Sequence, residues 1–264
     1  MRPPFYAVMN QRDFHLNRME KFLRSRLAED FEGRHPQFRP SLTISRQCGT
    51  GTSRIERSLV EYLDEIDESA VHGWAGFDQS LIGKIIEDHK RPNSMEPYLA
   101  EESKFPILET LEEALRMQPS KWTLFNYSAA TIRMLCRMGN ALVVGRAGNF
   151  VTSDLANTFH VRLIGSELKR IACVRERFRV SQDEAEKLVR KTDRSRFNFV
   201  KRYTGADIDD TGSYHLILNT DNLSPEIIVR IIGDSLIEWA NEREMSLHQL
   251  RALPEPLSLS RSGK

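Results

Sequence analysis

The segment SLTISRQCGTGTSR at residues 41–54 constrains this chain more than any other part of its sequence. A short apolar strand runs directly into a turn rich in Gly, Ser and Thr, and an amphipathic helical pattern follows over residues 55–62. Backbone N–H groups of such a turn, together with the positive end of the next helix, can hold a phosphate without a charged side chain. The layout therefore predicts a phosphate-binding loop, with a plain tight connection between strand and helix as the alternative.

The segment departs from the common phosphate-loop pattern G-x-x-x-x-G-K-[ST] at its charged position. Gly51 and Ser53 match the second Gly and the Ser/Thr, whereas Arg46 replaces the first Gly and Thr52 replaces the Lys. That lysine places a charge on the transferring phosphoryl group, so we expect its loss to affect turnover more than binding.

Composition limits the class of protein. A length of 264 residues fits one large domain or a core with insertions, and 38 Lys and Arg against 37 Asp and Glu argue against general polyanion binding. The chain shows no apolar run near the ~20 residues that a membrane span needs. Cys48, Cys136 and Cys173 are odd in number and widely spaced, which fits neither a disulfide framework nor a zinc site. These features predict a soluble protein of the reducing cytoplasm.

Four compact apolar runs predict buried strands, with helical patterns between them. The runs are Leu42–Ser45, Ala141–Gly145, Phe159–Ile164 and His215–Asn219. Because strands that alternate with helices are joined by right-handed crossovers, the expected fold class is α/β with a parallel sheet. Three helices are predicted in the second half of the chain. An amphipathic pattern predicts the first over 167–178, and a capping box at Ser181 and Glu184 begins the second, which runs through Val189. Ser224–Pro225 begins the last helix, which runs to about Glu242.

The same patterns divide the chain into regions. Residues 1–40 are predicted to be an extension with one helix over 13–31, and residues 41–245 form the main domain. The long helical stretch 78–138 lies between two strands, which predicts an inserted subdomain able to enclose a substrate. Residues 246–264 are rich in Ser and Pro and are predicted to be disordered.

Two further segments carry candidate binding residues. In an open α/β sheet ligands bind at the carboxyl ends of strands, where the turn after residue 144 projects Arg146 toward the predicted loop. Arg146 is then a candidate phosphate ligand, with helix capping or a surface ion pair as the alternative. The segment 190–203 holds six basic residues and one acid, which is typical of an anion site or a solvated helix face. Its aromatic residues also allow a nucleic-acid interface, but the rest of the chain supplies no basic footprint.

Three motifs, in this order and at these distances, carry a resemblance to a known family. They are residues 44–51 (ISRQCGTG), 144–149 (VGRAGN) and 190–196 (RKTDRSR), accompanied by Phe77-Asp78 and by 216–220 (LILNT). Over about residues 41–237 the chain resembles the cytidylate kinase-like family, a branch of the P-loop nucleoside monophosphate kinases. The resemblance implies a P-loop NTPase-type parallel sheet flanked by helices, with an inserted helical acceptor subdomain and a lid over 179–205.

The resemblance also implies an activity, which is Mg²⁺-dependent transfer of the ATP γ-phosphoryl group to a nucleoside monophosphate such as CMP or dCMP. Nucleotides would be its partners, and neither a membrane nor a nucleic acid is expected. The implied roles are ATP binding by Arg46, Gly49, Thr50, Gly51, Thr52, Ser53 and Arg54, a Mg²⁺ contact by Ser53, acceptor binding by Asp78 and Arg146, and catalysis by Arg190, Arg194 and Arg196.

The chain departs from well-characterised cytidylate kinases at two places, and these departures keep alternatives open. Thr52 stands where those enzymes have the loop lysine, and Val144 and Ala147 stand where they have two acids around the arginine. A non-catalytic nucleotide sensor would explain the missing lysine directly. An RNA-binding module that uses residues 190–203 is a third interpretation, and it predicts steep salt dependence and indifference to ATP.

Overall fold

The computed structural model describes residues 21–25, 38–78, 82 and 121–251, the last six of these by their backbone alone. Five strands and six helices are defined over these residues. In chain order they are β1 Ser41–Arg46, α1 Thr52–Ile66, β2 Ala75–Phe77, α2 Lys121–Met138, β3 Ala141–Val144, α3 Gly148–Val151, β4 Thr158–Ile164, α4 Glu167–Phe178, α5 Gln182–Thr204, β5 Leu216–Asn219 and α6 Pro225–Arg251, with a 3₁₀ turn at Thr211–Ser213.

The five strands form one parallel sheet in the order β2-β3-β1-β4-β5. In the register of the central strand, Ile44 lies opposite Val144 of β3 and Val161 of β4. The predicted α/β parallel fold is confirmed, and the four predicted strands agree with the observed ones to within one residue at each end. The shortest strand, β2, was not predicted because Ala-Gly-Phe has neither the length nor the β-branched content of a strand signal.

Both faces of the sheet are covered. β3 is apolar along its whole length, whereas β1 and β4 alternate apolar and polar residues. On one face Leu42 and Ile44 pack with α1 and α6, whose inward residues recur at helical spacing. On the other face Ala141 and Val143 pack with α2. The short described helical segment 21–25 joins this second cluster through Phe22, whose ring centroid lies 5.6 Å from that of Phe77.

The helices α5 and α6 begin where the capping signals predict, but both end later than predicted. Both hydrogen bonds of the predicted capping box are present at the start of α5, which continues past Val189 to Thr204. The last helix starts at Pro225 as predicted, but it continues past Glu242 to Arg251. The predicted disordered tail is therefore wrong for residues 246–251, which are helical. Three predicted regions lie largely or wholly outside the described residues. They are the helix over 13–31 except for 21–25, the stretch 79–120 except for residue 82, and the tail beyond 251.

Polar side chains occupy one face of the two central strands. Thr43 Oγ1 and His160 Nδ1 lie 2.8 Å apart, and Arg162 Nη1 donates to Ser45 Oγ at 3.0 Å. Arg162 also pairs with Asp209. Burial and the neighbouring His215 lower the pKa of His160 to about 4, so His160 is neutral at physiological pH.

This buried histidine should make the protein sensitive to acid. The unfolded chain takes up a proton near pH 6.5 and the folded His160 only near pH 4, so stability present above pH 6.5 is lost between these values. His160→Asn keeps a polar atom at the Nδ1 position and does not titrate. We expect it to remove about 2 kcal/mol of the acid-induced loss between pH 7 and pH 4.5, measured as the free energy of unfolding at the two pH values. Identical losses in the two proteins would contradict this assignment.

Candidate active site

The loop between β1 and α1 has a backbone conformation that is compatible with phosphate binding. Gly49 (φ 87°) and Gly51 (φ 72°) are in the left-handed region, and a Cβ on Gly49 would overlap the Arg170 backbone carbonyl. Thr50 Oγ1 closes the turn by donating to the Gln47 carbonyl at 3.0 Å. Gly51 is the N-cap of α1, and no side chain caps the helix. The N–H groups at the start of a 15-residue helix therefore face the loop.

Helix α5 is bound directly to this loop. The Cys48 N–H donates to Asp193 Oδ1 at 2.7 Å, and Arg170 bridges the two elements by donating to both Asp193 and the Cys48 carbonyl. Arg196 Nη1 donates to the carbonyl of Arg46 at 3.0 Å. Movement of α5 therefore changes contacts on the loop itself.

Arg46 is the central cation of the site. Its guanidinium extends from the end of β1 toward β3, where a Cβ on Gly145 would overlap it. Burial, with a smaller contribution from the charge of Arg196, lowers the pKa of Arg46 to about 10, while Glu56 and Asp78 stabilise its charge. Burial and the charge of Asp78 raise the pKa of Glu56 to about 7. A buried arginine is thus balanced by two carboxyl groups, one of which titrates near neutrality.

The turn after β3 is strained and presents Arg146. Gly145, Arg146 and Ala147 have φ angles of 86°, 57° and 57°, a left-handed conformation that non-glycine residues seldom adopt. Such strain is characteristic of functional sites. The Arg146 guanidinium carbon lies 5.8 Å from the centroid of the Phe199 ring, and burial lowers the pKa of Arg146.

A cavity of about 460 Å³ lies between the carboxyl ends of β1 and β3, helix α3 and helix α5. Among the described residues that line it, four are cationic and none is acidic. The cationic residues are Arg46, Arg146, Lys191 and Arg196. The remaining wall includes apolar side chains such as Phe199, Val200 and Ile208. This combination suits a ligand that carries phosphate at one end and an apolar or ring-shaped group at the other.

The structure separates the arginines that the sequence grouped together. Arg46, Arg146 and Arg196 line the cavity. Arg190 is 65% exposed and pairs with Glu167 and Glu186, and Arg194 is also exposed. Arg54, predicted to bind ATP, is 70% exposed and pairs with Glu226. Asp78 follows β2 and is half-buried beside Arg46 and Glu56.

Two of the site residues that were not predicted, Glu56 and Asp193, carry a signal in the sequence. Glu56 lies three and four residues before the buried Leu59 and Val60, so the helical period turns it inward. Asp193 is the single acid among six basic residues and lies four residues after the buried Val189. An acid on the inward side of a helix is a stronger indication of a specific contact than an acid on a solvated face.

The predicted Mg²⁺ contact rests on a single hydroxyl. Ser53 Oγ lies in the first turn of α1 and accepts a hydrogen bond from Arg177 Nη1 at 3.2 Å. Within the described ranges no group of three or more His, Cys, Asp and Glu side chains is arranged to hold a metal ion. Since Mg²⁺ takes hard oxygen ligands and keeps several waters, a hydroxyl beside the phosphates of ATP fits an ion that arrives with the nucleotide.

A family comparison agrees with this geometry. The sequence model of the cytidylate kinase-like family matches residues 41–222, which include the loop, the Arg146 turn and helix α5. The chain belongs to the cytidylate kinase-like family. No curated protein sequence matches it. Every helix in the described part of this family member is too short or too polar to cross a bilayer.

Solved structures with a similar fold are distant in sequence. An uncharacterized protein from Eubacterium ventriosum aligns with a TM-score of 0.53 and 16% identity, over 77% of this chain and 99% of its own. Shikimate kinase from Bacteroides thetaiotaomicron aligns with a TM-score of 0.39 and 13% identity, over 81% and 99% of the two chains. A gluconokinase from Sinorhizobium meliloti gives a TM-score of 0.41 and 12% identity, also over 81% and 99%. At these identities the similarity concerns the fold alone.

Proposed function

We propose that this protein transfers the γ-phosphoryl group of ATP to a nucleoside monophosphate of the CMP or dCMP type. The observation that carries the proposal is the cavity lined by four cations beside a glycine-rich phosphate loop. A kinase needs two anionic binding sites in contact, because phosphoryl transfer depends mainly on positioning and charge neutralisation. The membership of a kinase-like family supports the same activity.

The loop is the proposed donor site. The backbone from Gly49 to Gly51 and the first residues of α1, Thr52 and Ser53, would surround the ATP phosphates with N–H groups. Mg²⁺ bound to these phosphates would neutralise charge, with the Ser53 hydroxyl as its protein ligand. Arg177 now contacts that hydroxyl and would have to release it.

Arg46 and Arg196 are the proposed catalytic cations. Arg196 donates to the backbone of Arg46, and both side chains line the cavity next to the loop. They can therefore replace the loop lysine, whose position Thr52 occupies. The transferring phosphoryl group needs a cation beside it, and that cation need not come from one fixed position of the loop. Arg146 would bind the acceptor phosphate. Asp78 would border the acceptor site at the end of β2.

The first test is formation of ADP and of a diphosphate product. Purified full-length protein with ATP and Mg²⁺ is expected to convert CMP or dCMP to the diphosphate, with product identified by chromatography. UMP, AMP, shikimate and gluconate are comparison acceptors, since kinases of similar fold act on non-nucleotide substrates according to their names. No product with any monophosphate would contradict the proposal.

A nucleotide sensor is the second candidate, and the residue at the lysine position favours it. Thr52 brings no charge to the loop, and its hydroxyl lies 3.0 Å from that of Thr50. A sensor would show ATP binding, as a rise in unfolding temperature, without ADP formation in the presence of any acceptor. An RNA-binding module would instead bind single-stranded RNA in a salt-dependent manner and ignore ATP.

Arg146→Ala tests the acceptor site. Loss of a charge-assisted phosphate contact of about 1.5 to 3 kcal/mol should weaken the monophosphate at least tenfold. ATP affinity should stay within about twofold because the donor loop is untouched. Isothermal titration with each nucleotide measures both values. Equal weakening of the two nucleotides would remove Arg146 from a specific acceptor role.

A further inference from the structure

Among the described residues, two buried hydrogen-bond donors in the cavity wall have no hydrogen-bond partner. They are Nε of Arg146 and Nδ2 of Asn149, three residues apart on the strained turn and the start of α3. Asn149 is 4% exposed, and both residues line the cavity. The hydroxyl of Thr158, which is also buried, lies at the start of β4, away from the cavity, and interacts with the thiol of Cys136.

Folded proteins seldom leave a buried donor unpaired, because the group loses its water without gaining a replacement bond. Two such donors in one wall, on a turn that is itself strained, indicate that the partner is a molecule that enters the cavity. Arg146 has a proposed partner in the acceptor phosphate. Asn149 has none in the proposal made above.

We propose that Asn149 is a specificity-determining residue, whose Nδ2 donates a hydrogen bond to an oxygen of the acceptor substrate beside Arg146. The inference rests on the proposed function in that the cavity is taken as the acceptor site. The oxygen belongs either to the phosphate or to the nucleoside. A pocket built around a hydrogen bond discriminates strongly against analogues that lack the matching group, because the donor then stays unpaired.

The test is Asn149→Leu, which keeps the approximate size and shape of the side chain and removes the donor. If Asn149 is unpartnered in the free protein, the variant should unfold at the same or a higher temperature than the wild type. Its affinity for CMP should fall by roughly tenfold or more, whereas its affinity for ATP should stay within about twofold. Thermal unfolding and titration calorimetry on the full chain give the two readouts.

Asn157→Leu is the matched control, since Asn157 Nδ2 donates to the carbonyls of Arg39 at 2.8 Å and Cys136 at 2.9 Å. This variant should unfold at a lower temperature and bind CMP like the wild type. If Asn149→Leu behaves in the same way, Asn149 is structural and the inference is overturned.

Titration with cytidine and with inorganic phosphate identifies the substrate oxygen that Asn149 contacts, because only the ligand that carries this oxygen should bind more weakly to Asn149→Leu.

The outcomes separate this inference from the proposed function. A wild-type enzyme that phosphorylates CMP, with an unchanged KM for CMP in Asn149→Leu, would overturn the inference and leave the kinase activity in place. A wild-type protein that binds no monophosphate would overturn both. A selective rise in the KM for CMP, without loss of thermal stability, supports both.

Discussion

Arg46→Met is expected to lower kcat by about 10² to 10³, the usual effect of removing one group that stabilises transition-state charge. In the proposed mechanism this cation acts where the loop lysine is missing. Methionine keeps much of the apolar volume of the side chain and removes the charged guanidinium with its N–H donors. ATP affinity should fall less than kcat, because an interaction made mainly in the transition state lowers kcat more than binding. Initial rates of CDP formation and ATP titrations measure the two effects.

The variant should remain folded because a nearby carboxyl group can compensate. The charge of Arg46 lowers the pKa of Glu56, which burial and Asp78 still hold at about 7. Without Arg46 this pKa rises further, so Glu56 takes up a proton at neutral pH and does not remain an unpaired buried charge. The destabilisation should therefore be smaller at pH 6 than at pH 8. Arg46→Lys should recover part of the rate, and a folded Arg46→Met protein with wild-type kcat would exclude the proposed role.

Arg196→Ala is expected to lower kcat by about 10² or more with a smaller effect on ATP binding. Arg196 is the arginine of helix α5 that both lines the cavity and bonds to the loop backbone. Arg190 and Arg194 are exposed, so substitution of either by Ala should have a much smaller effect on kcat. Steady-state kinetics with ATP and CMP varied separately distinguish effects on kcat from effects on KM.

Arg202→Ala provides the matched control for this series. Arg202 is an exposed arginine of the same helix, and its guanidinium lies over the Tyr203 ring, away from the loop contacts. Its removal changes the net charge equally and should leave the kinetics unchanged. Equal losses on replacing Arg190, Arg194 and Arg196 would mean that the helix contributes general positive potential, which high salt would screen. A loss confined to Arg196 supports a specific contact.

Much of the fold could be predicted because its signals are local. β3 is a continuous apolar run, and β1 and β4 place apolar residues at alternate positions. The starts of α5 and α6 are marked by a capping box and by Ser-Pro. The short strand β2 carried no such signal. Its three residues have little strand preference of their own, and the strand forms because they are buried and pair with β3. The end of α6 was placed too early because the predicted tail was judged from composition alone.

The candidate site was predictable in its loops and not in its side-chain partners. Gly49 and Gly51 both have a positive φ, which favours glycine, and the glycine-rich spacing of the loop is a local signal for such a turn. The close approach of Gly49 to the Arg170 carbonyl depends on tertiary packing. Asn149 ends the motif 144–149, but no role was predicted for it, because an amide beside a glycine is compatible with a surface turn as much as with a buried wall. Its burial becomes apparent only when α3 and α5 are placed on the sheet.

Local sequence was sufficient to predict the parallel α/β architecture, the glycine-containing loop after β1 and the arginine in the turn after β3, since each depends on residues close together in the chain. Which cations lie together follows from long-range packing. Along α5 the arginines at 190, 194 and 196 have the same chemistry, and their surroundings differ because of how the helix is rotated against the loop. That rotation is set by the packing of Val189 and Val200 and by the contact of Asp193 with Cys48, which join residues far apart in sequence.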